Sequence, residues 1–477
     1  MKILFVGSEA LPFISTGGLG DVLGSLPKAV KDASSDADVR VVLPLYNKVK
    51  EKYGNSLEYV GYTFVPLAWR NQYCGIFKYN LDGVIYYFVD NEYYFKRNSV
   101  YGDFDDAERF AFFGRAVLDI LPVIDFYPDI LHANDWQSAM SVIYLKRKYN
   151  LKPHYRDIKT IYTIHNIDYQ GIYSMSILSD VFGLDNYGDR SIVEYNGNIN
   201  LTKGAIVCTD RISTVSEKYS KEIQTEFYSA GLHYILNLYS NKLGGIINGI
   251  DVAYYNPSTD DILAQKYSAK DVDGKAKCKK QLQEMCGLSE KPTVPVISMI
   301  SRLASHKGFD LVKYILPEIL AFDVQFVLLG TGEHELEEYF KQIEAQYPNK
   351  VKIFLEFNKD LSKKIYAGSD IFLMPSKSEP CGLSQMIASR YGAVPVVRET
   401  GGLYDTIKPY NAYTGAGNGF TFANYNAHEM KDAVIRAVEL YKDDEKWASL
   451  VKKVMETDFS WNVSAKKYLE LYNEIAE

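Results

Sequence analysis

From end to end this chain alternates short, unbroken apolar runs with stretches whose apolar residues recur at helical spacing. A strand that is apolar without interruption is one buried on both faces, and helices between such strands form the crossovers that cover a parallel sheet. In the second half the predicted strands are 294–300, 324–329, 351–355, 370–374 and 393–397, with helical patterns such as 308–320 and 333–345 between them. The first half repeats the plan, with strands at 3–7, 39–43, 130–133 and 160–164 and helices at 21–33, 108–121 and 138–149. Between residues 57 and 90 a tyrosine-rich segment alternates with period two, which predicts antiparallel hairpins added to the first sheet. The fold class is therefore α/β, two doubly wound Rossmann-like units with a break at the polar turn 248–251. Residues 257–295, rich in Lys and Asp, read as a linking region with short helices. Open sheets of this kind bind ligands beyond their strand carboxyl ends, so a ligand shared by the two units is expected in a deep cleft between them.

Composition narrows the function. A chain of 477 residues exceeds what one hydrophobic core organises, and a formal charge of −7 provides no basic footprint for nucleic acid. The opening MKILFVGSE is too short an apolar run for a membrane span or signal segment, and Glu9 ends it, so it reads as a buried first strand and no membrane attachment is expected. Five scattered cysteines without a CxxC pair, and seven histidines without ligand spacing, predict a reducing cytoplasm and no structural metal. The sequons at 200–202 and 462–464 are then chance matches. The count of 39 tyrosines stands out: aromatic faces with hydroxyl tips suit carbohydrate stacking, although most are expected in cores and interfaces.

Four segments carry chemistry. In IFLMPSKSEPCGLSQ an apolar strand runs through a tight turn into a helix start, with Glu379 at the tip. The successive amides of Cys381, Gly382 and Leu383 at a helix N-terminus favour bound phosphate, whereas the carboxylate of Glu379 suits the hydroxyls of a polyol joined to that phosphate. The plainer reading is a helix cap, and this segment alone leaves both open. The first strand leads into STGGLGDV, where Gly17, Gly18 and Gly20 permit close backbone approach and the amides before the helix predict an anion nest. A dinucleotide-type GxGxxG is absent, which weighs against hydride transfer. The second unit opens comparably with SRLASHKGFDLV, in which Arg302 and Lys307 straddle a strand-to-helix turn, as a leaving diphosphate requires. Two first-half strands end in LHANDWQ and YTIHNIDYQG, whose His132, Asn134, Asp135, Trp136, His165, Asn166, Asp168, Tyr169 and Gln170 together suit a sugar site. The run Asp103, Asp105, Asp106 has the look of a metal-binding DxD, but Asp105 and Glu108 read better as an N-cap pair.

Taken in order, STGGLGDV, LHANDWQ, TIHNIDYQG, GGIINGID, ISRLASHKGFDL, MPSKSEPCGLSQ, VRETGGLYDT and METDFSWNVSA resemble the bacterial glycogen synthases and plant starch synthases, glycosyltransferase family 5, over essentially the whole chain. The resemblance implies the GT-B architecture, with an acceptor-side domain over 1–247, a nucleotide-sugar domain over 248–458, and a C-terminal segment over 459–477 that crosses back to the first. It implies a retaining, metal-independent transfer of glucose from ADP-glucose to the non-reducing 4-OH of an α-1,4-glucan such as glycogen, with no cofactor. Oligomeric state stays unread.

Carried over by residue, the resemblance puts the donor diphosphate on Arg302, Lys307 and the amides of Gly18, Cys381, Gly382 and Leu383, beside Gly17. Glu379, His165 and Asn248 would hold the glucose, Phe357 would stack on adenine, and Asp135 and Trp136 would face the acceptor, with Tyr94 and Tyr101 as further acceptor contacts. One position departs: the family usually has a lysine where this chain has Ser15. Losing one charge-assisted contact costs about 2 to 4 kcal/mol of transition-state stabilisation if nothing replaces it. An active enzyme with altered donor affinity, or a preference for UDP-glucose, is therefore expected. Two other classes stay open: a glucan-binding or regulatory protein that has lost catalysis, and a pyridoxal-phosphate-dependent glucan phosphorylase.

Overall fold

In a computed structural model, which describes residues 1–476, the chain divides into two compact units. The first comprises residues 1–215, 220–246 and the final helix; the second comprises residues 216–219 and 247–460.

In the first unit β1 (Lys2–Val6) is followed by α1 (Gly18–Ala33) and β2 (Asp38–Pro44), and then by β3 (Glu58–Leu67), β4 (Arg70–Leu81) and β5 (Val84–Asp90). Next come α2 (Asp106–Asp119), β6 (Ile130–Asn134), α3 (Trp136–Tyr144), β7 (Lys159–Ile164), β8 (Arg211–Thr214) and β9 (Leu243–Gly245). The nine-stranded sheet has the order β9-β8-β7-β6-β1-β2-β5-β4-β3. Only β4 runs antiparallel to its neighbours, so the period-two segment does form hairpins on a parallel sheet. The central strand β6 is buried from end to end and β1, β5 and β7 at all but one position each, which is why they read as nearly unbroken apolar runs. All of these strands are parallel, but the direction in which successive strands are added reverses between β1 and β6, the kind of switch point where a crevice opens.

The second unit contains α4 (Asp273–Met285), β10 (Val296–Ile300), α5 (Phe309–Leu320), β11 (Gln325–Leu329), β12 (Val351–Phe354) and α6 (Lys359–Gly368). After them come β13 (Ile371–Met374), α7 (Ser384–Arg390), β14 (Val394–Arg398) and β15 (Phe420–Phe422). Its six strands are all parallel, in the order β12-β11-β10-β13-β14-β15. The switch point lies between β10 and β13, which pair through Ile297 with Ile371 and Ser298 with Phe372. The last helix, α8 (Trp461–Ala476), belongs to the first unit, where Tyr472 packs against Phe5 and His132.

One expectation fails here. Residues 257–295 are no linker, because Leu282 of α4 and Cys286 just after it join a core cluster with Val296, Val327, Leu361 and Ile365. Its lysines misled the reading. Lys275 is buried and its ammonium donates to the carbonyls of Ala367, Ser369 and Tyr391 at 2.9, 2.7 and 3.0 Å, while Lys279 pairs with Asp370 at 2.8 Å. A buried ammonium with three acceptors is satisfied, so a lysine-rich helix here is an internal brace.

Candidate active site

In the second unit, the loop after β10 and the loop after β13 emerge side by side at the switch point. They are stitched together: Lys377 N–H donates to the His306 carbonyl at 2.8 Å, and Gly308 sits against the end of β13. Gly308 has φ +82, and a Cβ there would lie 2.2 Å from the Pro375 carbonyl oxygen, so only glycine permits this approach. Across the junction Lys307 Nζ donates to Glu379 Oε2 at 2.7 Å, and Ser376 Oγ donates to the same oxygen at 3.0 Å. Glu379 is buried, and the Gly402 N–H holds its carbonyl at 3.1 Å. A buried carboxylate with a cation and a hydroxyl on one oxygen keeps its other oxygen available to further donors. Arg302 is exposed on the same loop and forms no ion pair among the described residues.

Beyond Glu379 the amides of Cys381, Gly382 and Leu383 precede α7, and none donates to a protein acceptor among the described residues. Gly382 has φ +71, which turns the chain into the helix. The Cys381 thiol is buried, which pushes its pKa up to about 12, so it is no nucleophile. Asn248 is buried, and its side-chain oxygen has no hydrogen-bond partner among the described residues. Phe357, between β12 and α6, is 85 % exposed, a ring presented to solvent without covering contacts.

In the first unit the loop after β1 is organised by a residue that the sequence reading used only to mark a strand end. Glu9 is 3 % exposed, and its carboxylate accepts the N–H groups of Thr16 and Gly17 together with the Thr16 hydroxyl. Burial nevertheless raises its pKa, aided by nearby Asp21. The expected anion nest is thus partly filled by the protein's own carboxylate, because a buried acid must find donors and these amides are the nearest. Gly18 keeps its N–H at the start of α1, with open space where a side chain would stand. Ser15 is exposed, and its hydroxyl donates to the Gly17 carbonyl at 3.1 Å. A glutamate seven positions before a Thr-Gly-Gly run was the available signal.

The loops after β6 and β7 form a second polar group. Asp135 adopts φ +57, outside the usual range for a side-chain-bearing residue, and its carboxylate accepts the His165 N–H at 2.8 Å and the Asn166 N–H. Burial lifts its pKa to about 7 against those two hydrogen bonds. His165 Nε2 lies 3.0 Å from Asn134 Oδ1, and the Asn134 amide nitrogen donates to the Val6 and His132 carbonyls. That fixes Oδ1 as the acceptor and puts the imidazole proton on Nε2, which leaves Nδ1 an acceptor. Burial lowers the His165 pKa to about 4, so the ring is neutral.

Several expected contacts are otherwise employed. Tyr94 is fully buried and donates to Glu108 at 2.5 Å, which withdraws it from any ligand. Trp136 is buried between Phe110 and Tyr173, with the Gly171 backbone against its ring, so most of it serves packing. Tyr101 is half-buried, its hydroxyl 2.6 Å from Ser8 Oγ. His132 is wholly internal, bonded to Thr163 and Tyr472, and Gln170 is bonded to Asn200 and two carbonyls. The N-cap reading of Asp105 also fails, since its side chain caps nothing and pairs with Arg97 at 2.8 Å, while Glu108 pairs with Arg70 at 3.1 Å. Asp103 and Asp106 flank the buried Arg109 at 3.0 and 2.5 Å. A buried guanidinium needs its acidic partners more than a helix end does.

A family model described as the starch synthase catalytic domain matches residues 2–238, and one for group 1 glycosyl transferases matches residues 284–454. Proteins called glycogen synthase from Bacillus cereus (strain B4264) and Desulforamulus reducens are 47 % and 48 % identical to the chain, covering all of it and 100 % and 99 % of their own lengths. The solved catalytic domain of starch synthase IV from Arabidopsis thaliana, bound to ADP and acarbose, superimposes with a TM-score of 0.89 at 35 % identity, with 99 % of each chain covered. Sucrose-phosphate synthase from Thermosynechococcus elongatus, at 13 % identity and a TM-score of 0.61, shares the fold. With two Rossmann-like units of the GT-B fold and relatives matched from end to end, the chain belongs to the glycogen and starch synthase family of glucosyltransferases.

Proposed function

We propose that this chain transfers glucose from ADP-glucose to the non-reducing 4-OH of an α-1,4-glucan with retention, and that the loops described above divide the work. The observation that carries the reading is the Lys307–Glu379 pair, 2.7 Å apart where β10 and β13 end side by side, because it joins a diphosphate cation to a hydroxyl acceptor at one switch point. Arg302 and Lys307 neutralise the charge that grows on the departing diphosphate as the sugar bond breaks, and the amides of Cys381, Gly382 and Leu383 add fixed donors. Glu379 accepts hydroxyl protons of the glucose through the oxygen that Lys307 does not hold. The buried Asn248 amide and the neutral His165, with Nδ1 as acceptor, take further hydroxyls. Phe357 offers its exposed ring to adenine, and Asp135 serves the acceptor end. The Gly18 amide supports the donor phosphates, where Ser15 supplies no cation.

Retention is served by attack on the face that the leaving group departs, with the diphosphate oxygen taking the acceptor proton. Exclusion of water from the reacting centre directs glucose to the glucan rather than to hydrolysis. The experiment is incorporation of radiolabelled glucose into glycogen from ADP-glucose and, in parallel, UDP-glucose. Incorporation that Lys307→Ala abolishes supports the reading; a folded wild-type protein inert with both donors would leave the regulatory, glucan-binding alternative.

A further inference from the structure

We propose that Gln385, acting with Thr406, is a positioning residue that aims the amides of Cys381, Gly382 and Leu383 at the donor diphosphate, an assignment that rests on the donor reading given above. Gln385 stands in the first turn of α7 and is 0 % exposed. Its side-chain nitrogen donates to the carbonyls of Cys381 at 3.2 Å and Gly382 at 2.9 Å, and to the Thr406 hydroxyl at 3.2 Å. The Thr406 hydroxyl in turn donates to the Gly402 carbonyl at 2.6 Å. The Gly402 N–H closes the ring by donating to the carbonyls of Glu379 and Pro380, both at 3.1 Å. Every carbonyl from Glu379 to Gly382 therefore has an internal donor. In a trans peptide the C=O and the N–H that follows it point to opposite sides. Pinning the carbonyls of Pro380, Cys381 and Gly382 thus turns the N–H groups of Cys381, Gly382 and Leu383 the other way, where none meets a protein acceptor among the described residues.

The ring depends on close backbone approach. A Cβ at Gly401 would lie 1.9 Å from the Glu379 carbonyl oxygen, and one at Gly402 would lie 1.9 Å from the Cys381 carbonyl oxygen, so only glycines let the helical turn Gly401–Thr406 reach the loop. The Gln385 side chain is itself kept at a cost. Its Oε1 is buried and has no hydrogen-bond partner among the described residues, and a Cβ at Gly382 would stand 2.6 Å from it. The amide group cannot turn over to relieve this, because its nitrogen end faces three acceptors. A buried acceptor left unpaired costs stability, and the peptide planes that Gln385 orients account for its presence there. Donors fixed in advance need no reorganisation as charge grows on the departing diphosphate, which is the step such a brace serves.

The test compares wild-type protein with Gln385→Met, which keeps the length of the side chain but removes its donors, with Thr406→Val, which removes only the hydroxyl, and with Thr406→Ser, which returns it. Calorimetry gives the Kd for ADP, initial rates give kcat and the KM for ADP-glucose and for glycogen, and thermal melts confirm folding. Gln385→Met is expected to weaken ADP binding about tenfold and to lower kcat by about tenfold or more, with the KM for glycogen within about twofold of wild type. Thr406→Val should show a loss of about threefold in the same two quantities, most of which Thr406→Ser recovers. If Gln385→Met does not fold, the Thr406 pair decides. Folded variants that bind ADP and turn over like wild type overturn the assignment, as does an equal rise in KM for ADP-glucose and glycogen, which would make the ring a general brace of the fold. The two readings fail differently: a wild-type protein that binds no ADP defeats the donor reading and this role with it, whereas tight wild-type binding that the substitutions leave untouched defeats the role of Gln385 alone.

Discussion

The first strand-to-helix loop of each unit occupies the same topological place, yet the two are built in opposite senses. In the first unit a buried carboxylate, Glu9, turns inward and consumes the amides of Thr16 and Gly17. In the second unit the loop after β10 presents Arg302 to solvent and lends Lys307 to a carboxylate on the neighbouring loop. A glycine-rich turn is therefore not by itself an anion site: what matters is whether its donors are already satisfied by the protein. The first loop is a shaped wall with one amide to spare, and the second carries the cations.

The largest effect should come from the second loop. Lys307→Ala and Arg302→Ala are each expected to lower kcat by roughly 10² to 10³ with folding intact, measured by initial rates and thermal melts, because the contact strengthens as the leaving group gains charge. Normal turnover in either folded variant would erase the contrast. The first loop should respond differently. Glu9→Gln keeps one acceptor oxygen but loses the charge that holds two N–H groups and a hydroxyl, so a rise in donor KM of about three- to tenfold with a smaller change in kcat is expected. A Glu9→Gln loss in kcat as large as that of Lys307→Ala would mean both loops do the same work.

Ser15→Lys sharpens the comparison by adding a cation to the uncharged loop. It should raise kcat/KM for ADP-glucose by about tenfold, the lower end of one charge-assisted contact, offset by loss of the serine hydroxyl bond to Gly17. An equal gain with UDP-glucose would show that residue 15 senses the phosphates and not the base.

The smallest effect concerns stability. Burial lowers the pKa of His132 to about 3 and that of His165 to about 4, against an ordinary 6.5, so the unfolded chain binds more protons as pH falls below 6.5. Stability is therefore lost progressively as pH falls from 6.5 towards 4. Asp135, with its pKa raised to about 7, acts in the opposite sense over that range, and it is common to both proteins compared. His132→Gln should flatten the decline of the melting midpoint between pH 6.5 and 4 relative to wild type; parallel curves would contradict the assignment of a buried neutral imidazole.

Much of this was legible in the residue order. The parallel strands declared themselves because both faces are covered, whereas the loop with Glu379 stayed open between a helix cap and a ligand site on its own residues, since a carboxylate before a helix start serves either. What escaped depends on partners distant in sequence. The lysines of α4 look solvated until the carbonyls of Ala367, Ser369 and Tyr391 are brought to them. Tyr94 looks like a ligand contact until Glu108 takes its hydroxyl, and Asp105 looks like a cap until Arg97 arrives. Glu9 lay in plain view, but its role follows from burial, which no local pattern states.

The most direct test of the central claim is a crystal structure of the protein with ADP. The account predicts that the diphosphate lies within hydrogen-bonding distance of Arg302, Lys307 and the amides at 381–383, with Glu379 beside the terminal phosphate where glucose would attach. A diphosphate bound elsewhere, with Arg302, Lys307 and Glu379 out of reach of it, would contradict the account.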